Sequence, residues 1–267
     1  VQDAAASIGI RVKVMPPFAE ILGHKERLSD LRDISIEDLI GRHPVDTHVA
    51  SIAGYLSGRR VLVTGAGGSI GSELCRQIAT FAPAELIMLD RDETGLQQTQ
   101  IGTYGHGLLD TNEVVLADIR DATSLQRIFE ERRPEVVFHA AALKHVPMVE
   151  NNAVEGIKTN LLGTRNVADA AVRQGGENVV MISTDKAVNP TNVMGATKRA
   201  AEAYCQALDV TSKTTVFTTV RFGNVLGSNG SVVPRFQKQI MAGGPVTVTD
   251  PDIVRFFMTI PEAVCLV

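Results

Sequence analysis

The sequence predicts an α/β protein built on a doubly wound parallel sheet, and three observations carry that expectation. Apolar runs of strand length alternate with amphipathic runs of helix length, six times over, between Gly58 and Phe222. The apolar runs are continuous, as in parallel strands covered on both faces. The first of them ends in a glycine-rich turn that opens a helix, the place where such sheets bind ligands.

The elements follow in order. RRVLVTG reads as a strand and SIGSELCRQIATF as a helix, with its apolar residues at helical spacing. ELIMLD is a strand, DETGLQQTQIG a helix, NEVVLADI a strand and ATSLQRIFEER a helix. PEVVFHAAA is the fourth strand, and NAVEGIKTNLLGTRNVADAAVRQ reads as one long helix. ENVVMIST, a helix from about Thr191 to Leu208, and TTVFTTVRFG complete the alternation. Beyond Asn224 the pattern loosens into glycine-rich loops and short elements. Before Gly58 there is no such rhythm. IRVKVMP reads as a short strand, and PPFAEILG and ISIEDLIGR as turns of helix between Pro, Gly and charged residues. Residues 1–57 are therefore expected to be a leader, or the tail of a missing upstream domain.

Composition excludes several classes. The 267 residues carry a formal net charge of -4 and no Lys/Arg-rich run, which argues against nucleic acid or an anionic membrane as partner. Cys75, Cys205 and Cys265 form no CxxC, so a reduced, cytoplasmic setting is expected. No HExxH or Cys/His cluster occurs, and no metal site is expected. No apolar run reaches the ~20 residues that cross a bilayer. The chain opens on Val1 and stops inside a helical pattern without cap signals, so a piece of a longer protein is expected.

The turn TGAGGSIG places Gly65, Gly68 and Gly71 at GxxGxxG spacing, with Ser69 and Ile70 opening the helix. Glycines there allow a tight turn and let backbone N–H groups approach a pyrophosphate at the helix N-terminus. Asp90 ends the second strand 19 residues after Gly71, close to the ~20 expected of an acid that binds adenosine ribose hydroxyls. The strand-turn-helix context makes this a dinucleotide site over residues 58–224. The carboxylate favours NAD over NADP, while Arg91 beside it is the kind of residue that holds a 2′-phosphate. Asp118 and Ile119, ending the third strand, are placed near the adenine, with a helix cap as the other reading of Asp118. Ala140, Ala141 and Ala142, ending the fourth, are small where a cofactor passes close, or are simply packing residues.

STDKAVNPTNVMGATK holds the second constellation. Thr184, Asp185 and Lys186 sit at a strand's carboxyl end, facing the reactive end of a bound dinucleotide. Met194 and Lys198 are four residues apart and share one helix face. An acid and an amine side by side suit proton transfer. For Lys186 to act as a base it must be partly neutral, through burial or a nearby positive charge such as Lys198.

These motifs resemble the extended short-chain dehydrogenase/reductase superfamily, a Rossmann fold with a small C-terminal substrate lobe. STDKAVNPTNVMGATKRAAE and VRFGNVLGSNGSVVPRF are similar to the bacterial polysaccharide-biosynthesis UDP-N-acetylglucosamine 4,6-dehydratases, from Gly58 to Val267. IRVKVMPPFAEIL and LRDISIEDLIGR look like the stretch before the catalytic domain in the large members, which are anchored at the cytoplasmic face of the inner membrane. The resemblance implies action on a UDP-sugar, with residues 225–267 as part of a truncated lobe. The small residues Gly195, Ala196, Ala200, Ala201, Ala203 and Ala207 permit their helix to pack closely on the sheet or on a second subunit, and a homo-oligomer is expected on that ground. It implies that NAD removes hydride from C4, that Lys186 takes the C5 proton, that Asp185 protonates the departing C6 hydroxyl, and that hydride returns to C6. It makes Lys198 the lysine of the nicotinamide ribose, and Lys144, His145, Asn160, Asn224 and Arg255 substrate-side candidates. Surface or turn roles remain open for Lys144, His145 and Arg255.

Met194 departs from the superfamily pattern, where a tyrosine takes the C4 hydroxyl proton. A thioether cannot accept it, so Thr184 with Asp185, or a water, must. A 4-epimerase relies on the missing tyrosine. A nucleotide-sugar sensor without catalysis is the other alternative.

Overall fold

The computed structural model describes residues 54–267 apart from Asn229 and Thr249, together with β1 (Lys13–Val14) and β2 (Arg32–Asp33). The chain divides into two compact units, residues 1–44 and 45–267. In the first, β1 pairs antiparallel with β2, and Lys13–Val14 lies in the strand expected at IRVKVMP. The helical turns expected at PPFAEILG and ISIEDLIGR lie outside the described residues.

The second unit carries one sheet of six parallel strands: β3 (Arg60–Thr64), β4 (Glu85–Asp90), β5 (Val114–Leu116), β6 (Val136–His139), β7 (Asn178–Thr184) and β8 (Val216–Phe222). Their spatial order is β5-β4-β3-β6-β7-β8. The direction of winding reverses between β3 and β6, and a doubly wound sheet binds ligands in the crevice at that point.

Side chains alternate across the sheet because successive residues of a strand point to opposite faces. Val61, Val63, Leu86, Met88, Phe138 and Ile182 pack with Leu74, Cys75 and Ile78 of helix α1 (Ser69–Ala79) and with Leu96 of α2 (Glu93–Tyr104). Leu62, Ile87, Leu89, Val137 and Val179 pack on the other face. Their partners are Leu125, Ile128 and Phe129 of α3 (Ala122–Arg132), and Val167, Ala170 and Ala171 further along. Both registers of β3, β4, β6 and β7 are therefore apolar, which is why the sequence shows continuous runs there. Asp92 caps α2 by accepting from Thr94 N–H, and Asp121 caps α3 by accepting from Ser124 N–H.

The region after β6 differs from expectation. The strand stops at His139, leaving Ala140–Ala142 irregular, and VPMVEN forms a short helix, α4 (Val146–Asn151). The long helix expected from Asn152 to Gln174 is α5 (Ala153–Gly156), a π-helical stretch at Ile157–Gly163, and α6 (Thr164–Gln174). Hydrophobic periodicity cannot separate α from π winding over seven residues. Gly163 lies against Ile119, where an added Cβ would come within 2.6 Å of Ile119 Cδ1. After β7 come a 3₁₀ turn (Asp185–Ala187) and α7 (Val193–Thr211), which is capped by Asn192 accepting from Gly195 N–H. The C-terminal residues add β9 (Asn224–Val225), α8 (Val232–Met241), β10 (Phe257–Met258) and α9 (Ile260–Cys265), with β9 and β10 paired in parallel. No described helix is long and apolar enough to cross a membrane.

His139 ties the sheet together where the winding reverses. Its Nδ1 lies 2.7 Å from Thr64 Oγ1 on β3, and its Nε2 lies 2.9 Å from Thr164 Oγ1 on α6. Thr164 donates its hydroxyl proton to the Asn160 carbonyl, so its oxygen accepts from His139 Nε2–H, and Nδ1 accepts from Thr64. Burial, reinforced by the charge of Lys198, lowers His139 from 6.5 to about 3.

The native state therefore holds a neutral ring, while the unfolded chain protonates below its ordinary value. This stabilisation is fully present above pH 6.5 and is lost as pH falls toward about 3. Urea unfolding across pH is expected to show it. The stability of wild type relative to His139→Gln should fall by up to about 1.4 kcal/mol per pH unit through this window.

Candidate active site

Gly65 follows β3 with φ +73°, a left-handed conformation that glycine adopts without strain. A Cβ there would lie 2.5 Å from Ala141 N, so the turn and the end of β6 meet backbone to backbone. Gly71 is equally constrained, since a Cβ would lie 2.0 Å from Gly65 O and α1 could not pack onto the turn. Gly68 is the N-cap of α1 and supplies no side chain to cap it, an arrangement suited to receiving an anion at the positive end of the helix. Ser69 and Ile70 form the helix's first turn, and Ile70 packs on the core.

Gly65 and Gly68 open onto a cleft shared by Asp90, Arg91, Asp118, Ile119 and Ala140–Ala142. Asp90 Oδ2 accepts from Gly67 N–H at 2.9 Å, and Oδ1 accepts from Asp92 N–H at 3.0 Å. A carboxylate has about four acceptor positions, so the two oxygens retain capacity for hydroxyl donors. Arg91 faces Asp118 at 3.6 Å, and Asp118 also pairs with Arg120 at 2.6 Å. Burial works against the Asp118 carboxylate, but the hydrogen bonds and charge of Arg120 prevail and hold it below the usual carboxylate range. Asp121, not Asp118, is the cap of α3.

Sequence reasoning missed Thr159, which also lines this cleft. It lies on the π-helical stretch, 6% exposed, and its hydroxyl has no partner among the described residues. An unsatisfied buried hydroxyl facing a cleft fits a ligand with polar groups to offer. Close backbone approach, a helix N-terminus, an acid at the end of β4 and a waiting hydroxyl together match a pyrophosphate-bearing dinucleotide.

The second half of the site lies at the carboxyl end of β7. Thr184 donates its hydroxyl to Asp185 Oδ1 at 2.9 Å, and Lys186 Nζ donates to the same oxygen at 2.9 Å. Lys186 Nζ also donates to Asn224 Oδ1 at 3.3 Å. Thr184, Asp185, Lys186 and Asn224 thus form one hydrogen-bonded group. Burial alone would raise the Asp185 carboxyl. The hydrogen bonds from Lys186 and Thr184, with the lysine's charge, outweigh it and hold the group ionised, below the usual range.

Lys198 lies under this group. It is 4% exposed and donates to the Ile182 carbonyl at 2.6 Å. Burial lowers it to about 8, against the pull of nearby Cys205 and Glu202. Met194 is buried one turn earlier on α7. Between them, Gly195, one of the small residues that permit close packing, meets the Lys186 carbonyl: a Cβ there would lie 2.4 Å from Lys186 O. A glycine inside an alanine-rich helix was the available signal.

The remaining candidates are spread out. Asn160 is fully buried. Its amide accepts from Leu143 N–H at 2.8 Å and donates to Leu143 O at 3.0 Å and to Thr197 Oγ1 at 3.1 Å. It therefore clamps the loop after β6 to α7, behind the cleft wall. Lys144 and His145 are exposed beyond that loop, and His145 is the N-cap residue of α4, with its ring against Gly230. Arg255 is exposed ahead of β10 and donates to the Val254 carbonyl at 2.8 Å. These three are not hydrogen-bonded into the group around Lys186.

The strand order, the glycine turn and the acid-amine pair at the end of β7 define an extended short-chain dehydrogenase/reductase domain. Within that class, residues 61–267 match the polysaccharide biosynthesis protein family, and the chain belongs to it. The probable polysaccharide biosynthesis protein EpsC of Bacillus subtilis is 50% identical over 262 residues, 97% of this chain and 43% of that protein. A UDP-N-acetylglucosamine 4,6-dehydratase (inverting) of Campylobacter jejuni is 37% identical over 212 residues, 78% of this chain and 62% of the relative. The crystal structure of Thermus thermophilus UDP-glucose 4-epimerase in complex with NAD is similar with TM-score 0.63 at 26% identity, covering 76% of this chain and 71% of that one. The chain thus spans less than two thirds of the length of the first two relatives.

A Gly195→Ala variant is expected to be destabilised by about 1–3 kcal/mol in urea unfolding, because the new methyl must displace Lys186's backbone. Helix propensity alone predicts the opposite sign, a gain of up to about 1 kcal/mol.

Proposed function

We propose that this domain carries out the NAD-dependent 4,6-dehydration of UDP-N-acetylglucosamine, giving a UDP-4-keto-6-deoxy sugar for glycan synthesis. One observation carries the reading. Thr184, Asp185, Lys186 and Asn224 are joined in one hydrogen-bonded group at the sheet's carboxyl edge, with Met194 where a tyrosine base would be. The dehydratase of Campylobacter jejuni is a relative over most of this chain.

The cleft that would hold NAD runs from Gly65 and Gly68, past Asp90, to Ala142 and Thr159. Asp90 would accept from the ribose hydroxyls, its negative charge disfavouring the 2′-phosphate of NADP, while Arg91 is engaged by Asp118. When bound, NAD supplies a hydride acceptor for C4 of the sugar and later a hydride donor for C6.

The residues of the chain move the protons. The C4 hydroxyl proton leaves through Thr184, whose hydroxyl already donates to Asp185. Asp185 starts as a carboxylate and can receive it. Asp185 thereby becomes the acid that protonates the C6 hydroxyl, which leaves as water. Its protonation also removes the counter-charge that holds the partly exposed Lys186 ammonium, which releases a proton to solvent water, and the neutral amine then takes the C5 proton. Loss of that proton is favoured because the C4 ketone stabilises the resulting carbanion. Hydride arrives at C6, a proton returns to C5, and no net oxidation remains. On this reading the absent tyrosine is not a defect, because Asp185 needs the very proton that a tyrosine would take.

An epimerase would move hydride off and onto C4 alone, leaving Asp185 and Lys186 without work. Incubation with UDP-N-acetylglucosamine separates the readings by NMR. The expected product has a C6 methyl and a C4 ketone. Inversion at C4 would indicate an epimerase, and unchanged substrate a binding protein. Lys186→Ala is expected to abolish exchange of the C5 proton with deuterated solvent and to lower turnover by at least ~10²-fold; normal exchange would remove Lys186 from the chemistry.

A further inference from the structure

Helix α7 holds the end of β7 at three points, and the third is not explained by the chemistry above. Gly195 receives the Lys186 carbonyl and Lys198 binds the Ile182 carbonyl. Glu202, one turn beyond Lys198, accepts from Ser183 Oγ at 2.5 Å. Glu202 is fully buried, and Ser183 is 4% exposed. A carboxylate in such a place needs compensation. Arg221 of β8 provides it with a two-pronged contact, Nε on Oε1 at 2.8 Å and Nη2 on Oε2. Arg199 Nη1 adds a longer contact to Oε2 at 3.2 Å. The carboxylate is held ionised despite its burial, because these donors outweigh the loss of water.

The arrangement joins α7, β7 and β8 immediately behind Thr184. Arg221 is also the register partner of Ser183 across the β7–β8 pair, so one carboxylate fixes both members of that pair. A side chain that only filled space here would be apolar, since a buried ion pair adds little stability over a hydrophobic replacement. Its value lies in direction. The hydrogen bond to Ser183 fixes the rotation of the strand residue immediately before Thr184, which ends β7 and leads into the turn of Asp185 and Lys186.

We infer that Glu202, anchored by Arg221, is a positioning residue for the Thr184–Asp185–Lys186 turn and acts through the Ser183 hydroxyl. The inference rests on the dehydratase reading for its effect on turnover, and on geometry alone for its effect on the turn.

Ser183→Ala tests it, because that change removes the tie and leaves Glu202 and Arg221 buried and matched. Amide hydrogen exchange is read on the holo domain without substrate, beside steady-state kinetics on the sugar nucleotide. Amides of residues 184–188 are expected to exchange about tenfold faster, while those earlier in β7 are unchanged, corresponding to loss of one hydrogen bond. Turnover is expected to fall about tenfold with KM and NAD affinity within about twofold, the pattern of a group misplaced in the transition state. Unchanged exchange at residues 184–188 overturns the inference whatever the kinetics show. Altered exchange with unchanged turnover also overturns it, since the turn would then tolerate misplacement. If wild type makes no product, the dehydratase reading has failed, and the exchange result alone decides whether Glu202 orders the turn. Glu202→Gln keeps an acceptor for Ser183 while breaking the charge pair. It is expected to leave exchange of residues 184–188 near wild type, even where it lowers the unfolding midpoint; accelerated exchange equal to that of Ser183→Ala would assign the effect to lost stability and overturn the inference.

Discussion

The Lys186 carbonyl sits against Gly195 with no room for a methyl group between them. This contact brings the first turn of α7 onto the turn that ends β7. The Thr184–Lys186 turn is short and partly exposed, and by itself would sample several conformations. Packed under a 19-residue helix, it takes one. The Lys198 bond to Ile182 and the Asn192 cap on Gly195 N–H hold the helix in the register that makes the contact possible. The proposed catalytic group, assembled from three consecutive residues, would need such backing, because misplacement by an ångström is enough to lose orders of magnitude in rate.

The other half of the site follows from topology. Winding reverses between β3 and β6, so no crossover helix covers the space above their carboxyl ends. Gly65 and the backbone of Ala141 close the floor of that space, and α1 points its N-terminus into it. His139 links the two strands and α6 from below. Asn160 performs the matching task for the loop after β6. The π-helical stretch lets neighbouring residues do different jobs, with Asn160 turned into the clamp and Thr159 lining the cleft. A buried, neutral histidine and a buried amide thus support a site whose working groups are partly exposed.

Much of this was legible in the sequence, for physical reasons. Parallel strands covered on both faces leave continuous apolar runs, so all six strands could be placed from Arg60 to Phe222. The glycine turn and Asp90 are legible because backbone approach and strand length fix their spacing. Thr184, Asp185 and Lys186 are legible because a strand end can be recognised and the three are adjacent. The misses are of another kind. The π winding at Ile157–Gly163 leaves no periodic signature over seven residues. Asn160 is polar on a helix, which reads the same whether it meets a substrate or, as found, the Leu143 backbone. Glu202 reads as an ordinary helix-surface acid, because its partners Ser183 and Arg221 are 19 residues away on either side and meet it only after the sheet forms. Gly195 is legible as a close-packing residue, but that it approaches the Lys186 carbonyl is a matter of packing between elements.

In the proposed dehydration, Met194 in place of the superfamily tyrosine shifts proton handling onto the end of β7. Asp185 would then be the point where oxidation at C4 and elimination across C5 and C6 meet, since the proton released by one is consumed by the other. Such coupling requires that the hydride taken from the sugar be kept for the same molecule. UDP-N-acetylglucosamine carrying deuterium at C4 measures this most directly. The label is predicted in the C6 methyl group of the product, one deuterium per molecule. Label left at C4 or lost to water would contradict the mechanism.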